Sequence, residues 1–171
     1  MSALESQKLI LRPMRLDDVE RVHAIDKLSF SMPWSERSYR FEVTENAHSC
    51  NWVAEVEQKG RRLVVGMVVI WVILDEAHVA TLATHPDFRQ RGIGRRLLAR
   101  GLLAAYERGA RMAYLEVRRS NLAAQALYQQ FGFVVVGERP RYYQDNYEDA
   151  LLMTLERLEP EQLKQMVENH R

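Results

Sequence analysis

The spacing of hydrophobic positions changes period along the chain, and this change predicts the order of helices and strands. Trp52, Ala54 and Val56 recur at every second position, which is typical of a half-buried strand. Within 17–29 the apolar positions recur at helical spacing instead. Strands are predicted at 8–14, 51–58, 62–74, 78–84, 111–118, 133–137 and 149–155, and helices at 17–29, 35–44, 93–108, 120–131 and from 159 onward. Because strands cluster first and then alternate with helices, the pattern predicts an α+β domain with one central mixed sheet.

Polar residues and glycines mark the predicted ends of these elements. Ser35 and Ser120 precede the second and fourth helices, where a hydroxyl oxygen can accept from the first backbone N–H groups. Gly132 follows the fourth helix in the position of a C-cap glycine. We expect Asp75 and Glu76 to form the turn between the third and fourth strands.

Length and charge limit the classes of function. A chain of 171 residues is about one domain, and we assign 1–158 to that domain and 159–171 to a C-terminal helical tail. The tail can either pack on the domain or contact another chain. Lys and Arg number 24 against 23 Asp and Glu, so the basic excess of a nucleic-acid-binding protein is missing. We therefore expect no nucleic-acid partner, and a monomer or a weak homodimer.

Cysteine and histidine usage indicates a cytoplasmic protein without a metal. Cys50 is the sole cysteine, which excludes an intrachain disulfide and fits a reducing compartment. The longest apolar run, 64–74, is too short to cross a bilayer, and the first ten residues lack the pattern of a secretory signal. The histidines show no ligand spacing such as His-Glu-x-x-His, so we expect no metal and no membrane partner.

A glycine-rich turn at 85–95 carries the clearest chemical signal. Gly92 and Gly94 let the backbone turn tightly, and the N–H groups at the start of the following helix can bind an anion. The sequence lacks the Gly-Lys-Ser/Thr ending of a nucleotide P-loop. A phosphate-binding loop and a plain surface turn both remain open. Positive charge is expected around a bound phosphate from Arg89, Arg91, Arg95 and Arg96.

Two motifs resemble the GNAT acetyltransferases. Arg89-x-x-Gly92-x-Gly94 after a strand is similar to the pyrophosphate loop of the family, and 115–133 resembles its Glu-Val-Arg…Asn…Ala-x-x-Leu-Tyr-x-x-x-Gly-Phe signature. Within the family, 32–35 and the tyrosine pair at 142–143 resemble the bacterial subgroup that acetylates the N-terminal alanine of ribosomal proteins. The resemblance implies a mostly antiparallel mixed sheet of about six or seven strands, flanked by about four helices plus a C-terminal helix.

The resemblance also implies a reaction and its residues. Acetyl-CoA would be the co-substrate, and a peptide or protein N-terminus, such as that of a ribosomal protein, would be the acceptor. Glu116 resembles the general base of the family and Tyr128 its general acid. The implied cofactor contacts are Leu82, Ala83, Thr84, Gln90, Arg91, Gly92, Ile93, Gly94, Arg95 and Asn121. The acceptor groove is expected to include Phe30, Trp34, Tyr142 and Tyr143, for which ordinary core packing is the alternative.

The residues themselves are compatible with those roles but leave alternatives open. Seven positions separate Asn121 from Tyr128, which leaves them about 20° apart around one helix. Burial among apolar strand residues would raise the pKa of Glu116 and make it a better base. Alternatively, Glu116 could be a salt-bridge partner, Tyr128 a packed ring and Asn121 part of a helix cap. A small-amine or lysine acceptor, and a non-catalytic acyl-CoA sensor, are the alternative functions.

Overall fold

The centre of the computed structural model, which describes residues 7–168, is a seven-stranded sheet. Its strands are β1 (Leu9–Pro13), β2 (Ser49–Gln58), β3 (Arg61–Ile73), β4 (Glu76–Thr84), β5 (Met112–Arg118), β6 (Val134–Arg139) and β7 (Ala150–Leu155). They lie in the order β1-β2-β3-β4-β5-β7-β6. Neighbouring strands are antiparallel except β4 and β5, which run parallel. The predicted α+β class and the mixed, mostly antiparallel sheet are confirmed.

Helices cover both faces of this sheet. They are α1 (Val19–Ser29), α2 (Glu36–Thr44), α3 (Ile93–Glu107), α4 (Leu122–Phe131) and α5 (Pro160–Glu168). On one face, α1 and α2 bury Val22, Ile25 and Tyr39 against β2 and β3. On the other face, α3, α4 and α5 share a larger core with the same sheet. No helix within residues 7–168 is long and apolar enough to cross a membrane.

The last described helix packs on the domain. Leu163 and Met166 of α5 are buried in the same core cluster as the apolar side chains of α3. Arg96 of α3 donates from Nε to the carbonyl oxygen of Val167 at 2.7 Å. The apolar stripe of the tail therefore covers α3, while His170 and the last residues of the predicted tail lie outside the described residues.

The predicted turn after β3 is shifted by one residue. Leu74 and Asp75 form the turn, with Leu74 in the left-handed region at φ 56°, and Glu76 is already the first residue of β4. The carbonyl oxygen of Asp75 accepts from the N–H groups of Arg111 and Met112. This pair of hydrogen bonds fixes the turn to the start of β5.

The N-cap prediction holds for α2 and fails for α4, whose C-cap is Gly132 at φ 97°, as predicted. The Ser35 hydroxyl oxygen accepts from the N–H of Ser38, as predicted. At α4 the cap is Asn121, whose Oδ1 accepts from the N–H of Ala124 at 3.1 Å. Ser120 donates its hydroxyl to a carboxylate oxygen of Glu148 instead, at 2.8 Å. A charged acceptor nearby thus removes Ser120 from the helix end.

Candidate active site

The two parallel strands β4 and β5 lie side by side only at their first residues and then separate. Their paired positions run from Glu76 with Met112 to His78 with Tyr114. Beyond this point β5 keeps its pairing to β7 on the other side, as far as Arg118. We call this separation the splay. After His78 and Tyr114 the facing edges of β4 and β5 are not paired with each other.

A β-bulge in β4 accompanies the splay. On β3, Val69 faces Thr81 and Ile70 faces Val79, which leaves Ala80 as an additional residue on β4. A bulge increases local twist and re-aims the strand that carries it. The bulge therefore turns the second half of β4 away from β5.

A cavity of ≈ 590 Å³, here called the splay cavity, occupies the space between the separated strands. Its walls are the second half of β4, the end of β5, the first turns of α4, the segment after α1 and the segment after β6. The four residues predicted for the acceptor groove all line it: Phe30, Trp34, Tyr142 and Tyr143. Trp34 is stacked on Trp71, with ring centroids 6.0 Å apart. Aromatic rings therefore supply much of the wall.

A second cavity of ≈ 850 Å³, here called the loop cavity, lies between the end of β4, the turn at 89–95 and α4. Nine of the ten predicted cofactor residues line it: Leu82, Ala83, Thr84, Gln90, Gly92, Ile93, Gly94, Arg95 and Asn121. Arg91 lies outside this lining, because its guanidinium is over the ring of Phe88 at 5.1 Å and donates to the carbonyl oxygen of Asp87. The two cavities meet at the residues that line both: Phe30, Leu82, Asn121, Ala124 and Tyr128.

The turn before α3 has the backbone conformation of an anion-binding loop. Gln90 and Gly92 are left-handed, at φ 63° and 76°, and α3 begins at Ile93. The first hydrogen bond of the helix runs from the N–H of Arg96 to the carbonyl oxygen of Gly92. The N–H groups of Ile93 and Gly94 precede that bond and lie at the positive end of the helix dipole. A negatively charged group in the loop cavity would therefore be stabilised there.

The four arginines near this turn make different contacts. Arg89 donates from Nε to the carbonyl oxygen of Thr84 at 3.0 Å and from a terminal nitrogen to the Ser29 hydroxyl. Arg96 points to α5, as described above. Arg95 lines the loop cavity. Arg89 and Arg95 thus line the loop cavity, whereas Arg96 is bonded to α5 and Arg91 to Asp87.

The backbone of β4 presents polar groups at its open edge. The N–H of His85 donates to the Val65 carbonyl oxygen on β3, so alternation along the strand turns the backbone groups of Leu82 and Thr84 away from β3. The Arg89 bond to the Thr84 carbonyl oxygen agrees with this direction. Leu82 lines both cavities. Its backbone can therefore bind a group that lies at their junction.

Glu116 lines the splay cavity from β5 and is bonded to a partner that the sequence did not reveal. Its Oε2 lies 2.8 Å from Nε2 of His78 on β4. The hydrogen bond from His78 lowers the pKa of Glu116 below its usual range, and this effect outweighs burial, which acts in the opposite direction. The prediction of a raised pKa is therefore wrong. Glu116 is a firmly ionised carboxylate at neutral pH.

Tyr128 lies at the junction of the two cavities. Its ring belongs to the core on the α4 face, with the Phe133 ring 5.8 Å away. Burial raises the pKa of Tyr128 to about 12, so the phenol keeps its proton at neutral pH. Glu116 and Tyr128 therefore line one cavity in opposite protonation states. Asn121 also lies at the junction, but its Oδ1 is used by the helix cap.

A buried carboxylate, Asp26, supports the aromatic wall of the splay cavity. Its Oδ2 accepts from the Tyr39 hydroxyl at 2.5 Å and from the N–H of Trp34 at 3.1 Å. Asp26 is only 1% exposed, and burial raises its pKa against the lowering effect of these two donors. This role has no signal in the sequence, because the partners of Asp26 come from the next helix and the segment before it. Asp26 thus holds Trp34 in place.

No group of three or more His, Cys, Asp or Glu side chains between residues 7 and 168 is placed to hold a metal ion. The buried thiol of Cys50 lies in the core on the α3 face, and burial raises its pKa. Cys50 lines neither of the two cavities.

Comparison with known proteins gives consistent results. Residues 19–133 match the acetyltransferase (GNAT) family. A protein of Bacillus subtilis (strain 168), provisionally assigned as a ribosomal protein bS18-alanine N-acetyltransferase, is 38% identical over 146 residues, covering 85% of this chain and 94% of the relative. The crystal structure of the Escherichia coli ribosomal-protein-S18-alanine N-acetyltransferase superposes with a TM-score of 0.76 at 30% identity, covering 89% and 96% of the two chains. Arabidopsis thaliana NAA60 in complex with acetyl-CoA shares the fold, with a TM-score of 0.77 at 20% identity and coverage of 86% and 98%.

The contact between Tyr39 and Asp26 leads to a pH-dependent prediction. Tyr39→Phe removes a donor from a buried carboxylate, so we expect the free energy of unfolding at neutral pH to fall by about 1–3 kcal/mol. The pKa of Asp26 should rise further. The loss should shrink as the pH falls through that pKa, because a protonated Asp26 no longer carries a buried charge.

Urea unfolding at neutral pH and near pH 4 measures this difference. Tyr147→Phe is the matched control, since Tyr147 is 69% exposed and its substitution should not change the stability. An equal loss of stability at both pH values would show that Asp26 is not the partner that matters.

Proposed function

Because this chain belongs to the GNAT acetyltransferase family and is an N-acetyltransferase, we propose that it moves the acetyl group of acetyl-CoA to the N-terminal α-amine of a protein in the cytoplasm. The reaction would be a direct attack within a complex that holds both substrates. The observation that supports this most is the meeting of two cavities at Leu82 and Tyr128. The names of the relatives favour the N-terminal alanine of a ribosomal protein as acceptor.

The loop cavity fits the donor substrate. The N–H groups at the start of α3 and the side chain of Arg95 suit a diphosphate. The open backbone edge at Leu82 and Thr84 suits the amide groups of a pantetheine arm. The arm would lie beside β4 and bond to its backbone as a neighbouring strand does. Bound in this way, the donor would supply a thioester carbonyl at the junction of the cavities. The Leu82 N–H would stabilise negative charge on that carbonyl oxygen.

The splay cavity fits the acceptor. An α-amine has a pKa of about 7.7–8.0 and is largely protonated at neutral pH, so its cation would be attracted to the ionised Glu116. In the reaction the amine nitrogen bonds to the acetyl carbon and the carbon–sulfur bond breaks. Before the attack Glu116 accepts one proton from the ammonium group, directly or through water, because only the neutral amine has a free electron pair. As the amide forms Glu116 accepts a second proton, and it passes each proton to solvent. Tyr128 gives its proton to the departing sulfur and is reprotonated from solvent.

The proposal is tested by the release of coenzyme A thiol with a panel of acceptors. The panel should contain peptides that begin with Ala, Ser and Met, matched peptides with a blocked N-terminus and one internal lysine, and small polyamines. Turnover with free N-termini, and highest kcat/KM for Ala, is the expected result. Preference for lysine or a small amine would overturn the proposed acceptor class. If none of the acceptors in the panel led to thiol release, the proposal itself would be overturned.

Substitution of the two titrating side chains tests their roles. We expect Glu116→Gln and Tyr128→Phe each to lower kcat by roughly 100-fold or more, because each removes a proton-transfer group. The affinity for acetyl-CoA should stay nearly unchanged, since neither side chain lies at the anion-binding turn. Steady-state kinetics and calorimetric titration with coenzyme A measure the two effects. Glu107→Gln and Tyr147→Phe are exposed controls, and full turnover in both test variants would contradict the assignment.

A glycine substitution separates the anion-binding turn from general stability. Gly92→Ala places a side chain at φ 76°, which costs about 1–2 kcal/mol and favours a shifted turn. We expect the affinity for coenzyme A to fall by roughly tenfold. Gly60→Ala is the matched control: Gly60 has φ 72°, and nothing lies within 4 Å of an added Cβ at either glycine. Equal affinities of the two variants would exclude this turn as the phosphate site.

A further inference from the structure

His78 occupies the last position at which β4 and β5 are paired, opposite Tyr114. Glu116 follows two residues later on β5, where the strands have begun to separate. The hydrogen bond between the His78 and Glu116 side chains therefore crosses the narrow end of the splay. It connects the two strands at the point where the backbone ladder between them stops.

The geometry of this pair is fixed from several directions. An ionised carboxylate can only accept, so Nε2 of His78 carries the proton in the 2.8 Å hydrogen bond to Oε2 of Glu116. The imidazole is stacked on the Tyr114 ring at 4.5 Å and 6°, and meets Trp71 edge-on at 5.3 Å. Only 17% of the His78 side chain and 16% of the Glu116 side chain are exposed. The imidazole thus has little room to turn away from the carboxylate.

Other charged or titratable groups act on Glu116 from a greater distance. Arg139 on β6 favours its ionised form through space. Tyr143 and Tyr114 both lie within the field of the carboxylate, and burial raises the pKa of each. Glu76, at the start of β4, acts on Tyr114. His78 differs from these groups because its side chain donates a hydrogen bond to Glu116, and this bond has the largest effect on the pKa of Glu116.

We propose that His78 is a positioning residue for Glu116 in the acetyl transfer: its Nε2–H holds one carboxylate oxygen at the narrow end of the splay and so fixes the carboxylate at the wall of the acceptor cavity. This inference rests on the proposed function. A carboxylate held in one geometry can meet the acceptor amine without reorganising at the moment of reaction. A purely structural His78 would tie the two strands together, so its loss would cost the same activity whether or not Glu116 is present.

Two substitutions separate these roles. His78→Phe keeps a ring to stack on Tyr114 but removes the donor, whereas His78→Gln removes the ring but keeps a side-chain N–H. We expect His78→Phe to lower kcat by about 10- to 100-fold with unchanged affinity for coenzyme A, since misplacement of a reacting group has costs of that order. His78→Gln should recover part of the loss. In a Glu116→Gln background, His78→Phe should have little additional effect, because the two residues act as one unit.

The pH dependence follows from the direction of the pKa shift of Glu116. The hydrogen bond from His78 lowers this pKa and burial raises it, so removal of the donor leaves burial to dominate. The acidic limb of kcat/KM should therefore move to higher pH in His78→Phe and less in His78→Gln. NMR titration of the ¹³C-labelled Glu116 carboxyl group should show the same upward shift, and this readout does not require turnover.

The outcomes distinguish the inference from the proposed function. Failure of the wild-type protein to acetylate any acceptor overturns the proposed function. An unchanged carboxyl titration in His78→Phe overturns the role of His78 even in an active enzyme. Equal losses of kcat in the Phe and Gln variants, or losses that add to that of Glu116→Gln, would show that His78 only supports the fold. His48→Phe, at an exposed histidine before β2, is the control for the substitution itself.

Discussion

The separation of β4 from β5 is the constraint on which the candidate site depends. Buried backbone N–H and C=O groups need partners, so a gap inside a sheet is stable only where other groups satisfy them. Here Arg89 satisfies the carbonyl oxygen of Thr84, and the side chains of His78 and Glu116 bond across the narrow end. The bulge at Ala80 turns β4 outward between these two points. The gap is thus held open at its wide end and closed at its narrow end.

Two side chains that line this gap, those of Glu116 and Tyr128, have opposite protonation states at neutral pH. Glu116 comes from the strand beside the gap and is held ionised by a charge-assisted hydrogen bond, whereas Tyr128 comes from α4 and is kept neutral by burial. Environments that push two pKa values apart are how one site provides a proton acceptor and a proton donor at the same pH. The aromatic wall that Asp26 supports completes the acceptor side of the same space.

Local features of the site could be predicted from the sequence, and contacts between distant residues could not. The left-handed Gly92 and the helix that starts at Ile93 follow from glycine spacing within one turn, and Ser35 caps α2 as its position indicated. The Glu116 pKa was predicted in the wrong direction because its partner lies 38 residues away on another strand. Strand pairing decides that contact, and a single sequence does not reveal the pairing. Ser120 failed as a cap for the same reason, since Glu148 attracts its hydroxyl across the fold.

The candidate site requires that the two cavities form a continuous path from the α3 turn to the splay. A crystal structure of the protein with coenzyme A tests it most directly. We expect the diphosphate on the N–H groups at the start of α3, the pantetheine arm along the open edge of β4 at Leu82 and Thr84, and the sulfur beside the Tyr128 hydroxyl. A diphosphate bound away from the α3 turn, or a sulfur that does not reach the junction of the cavities, would contradict the account.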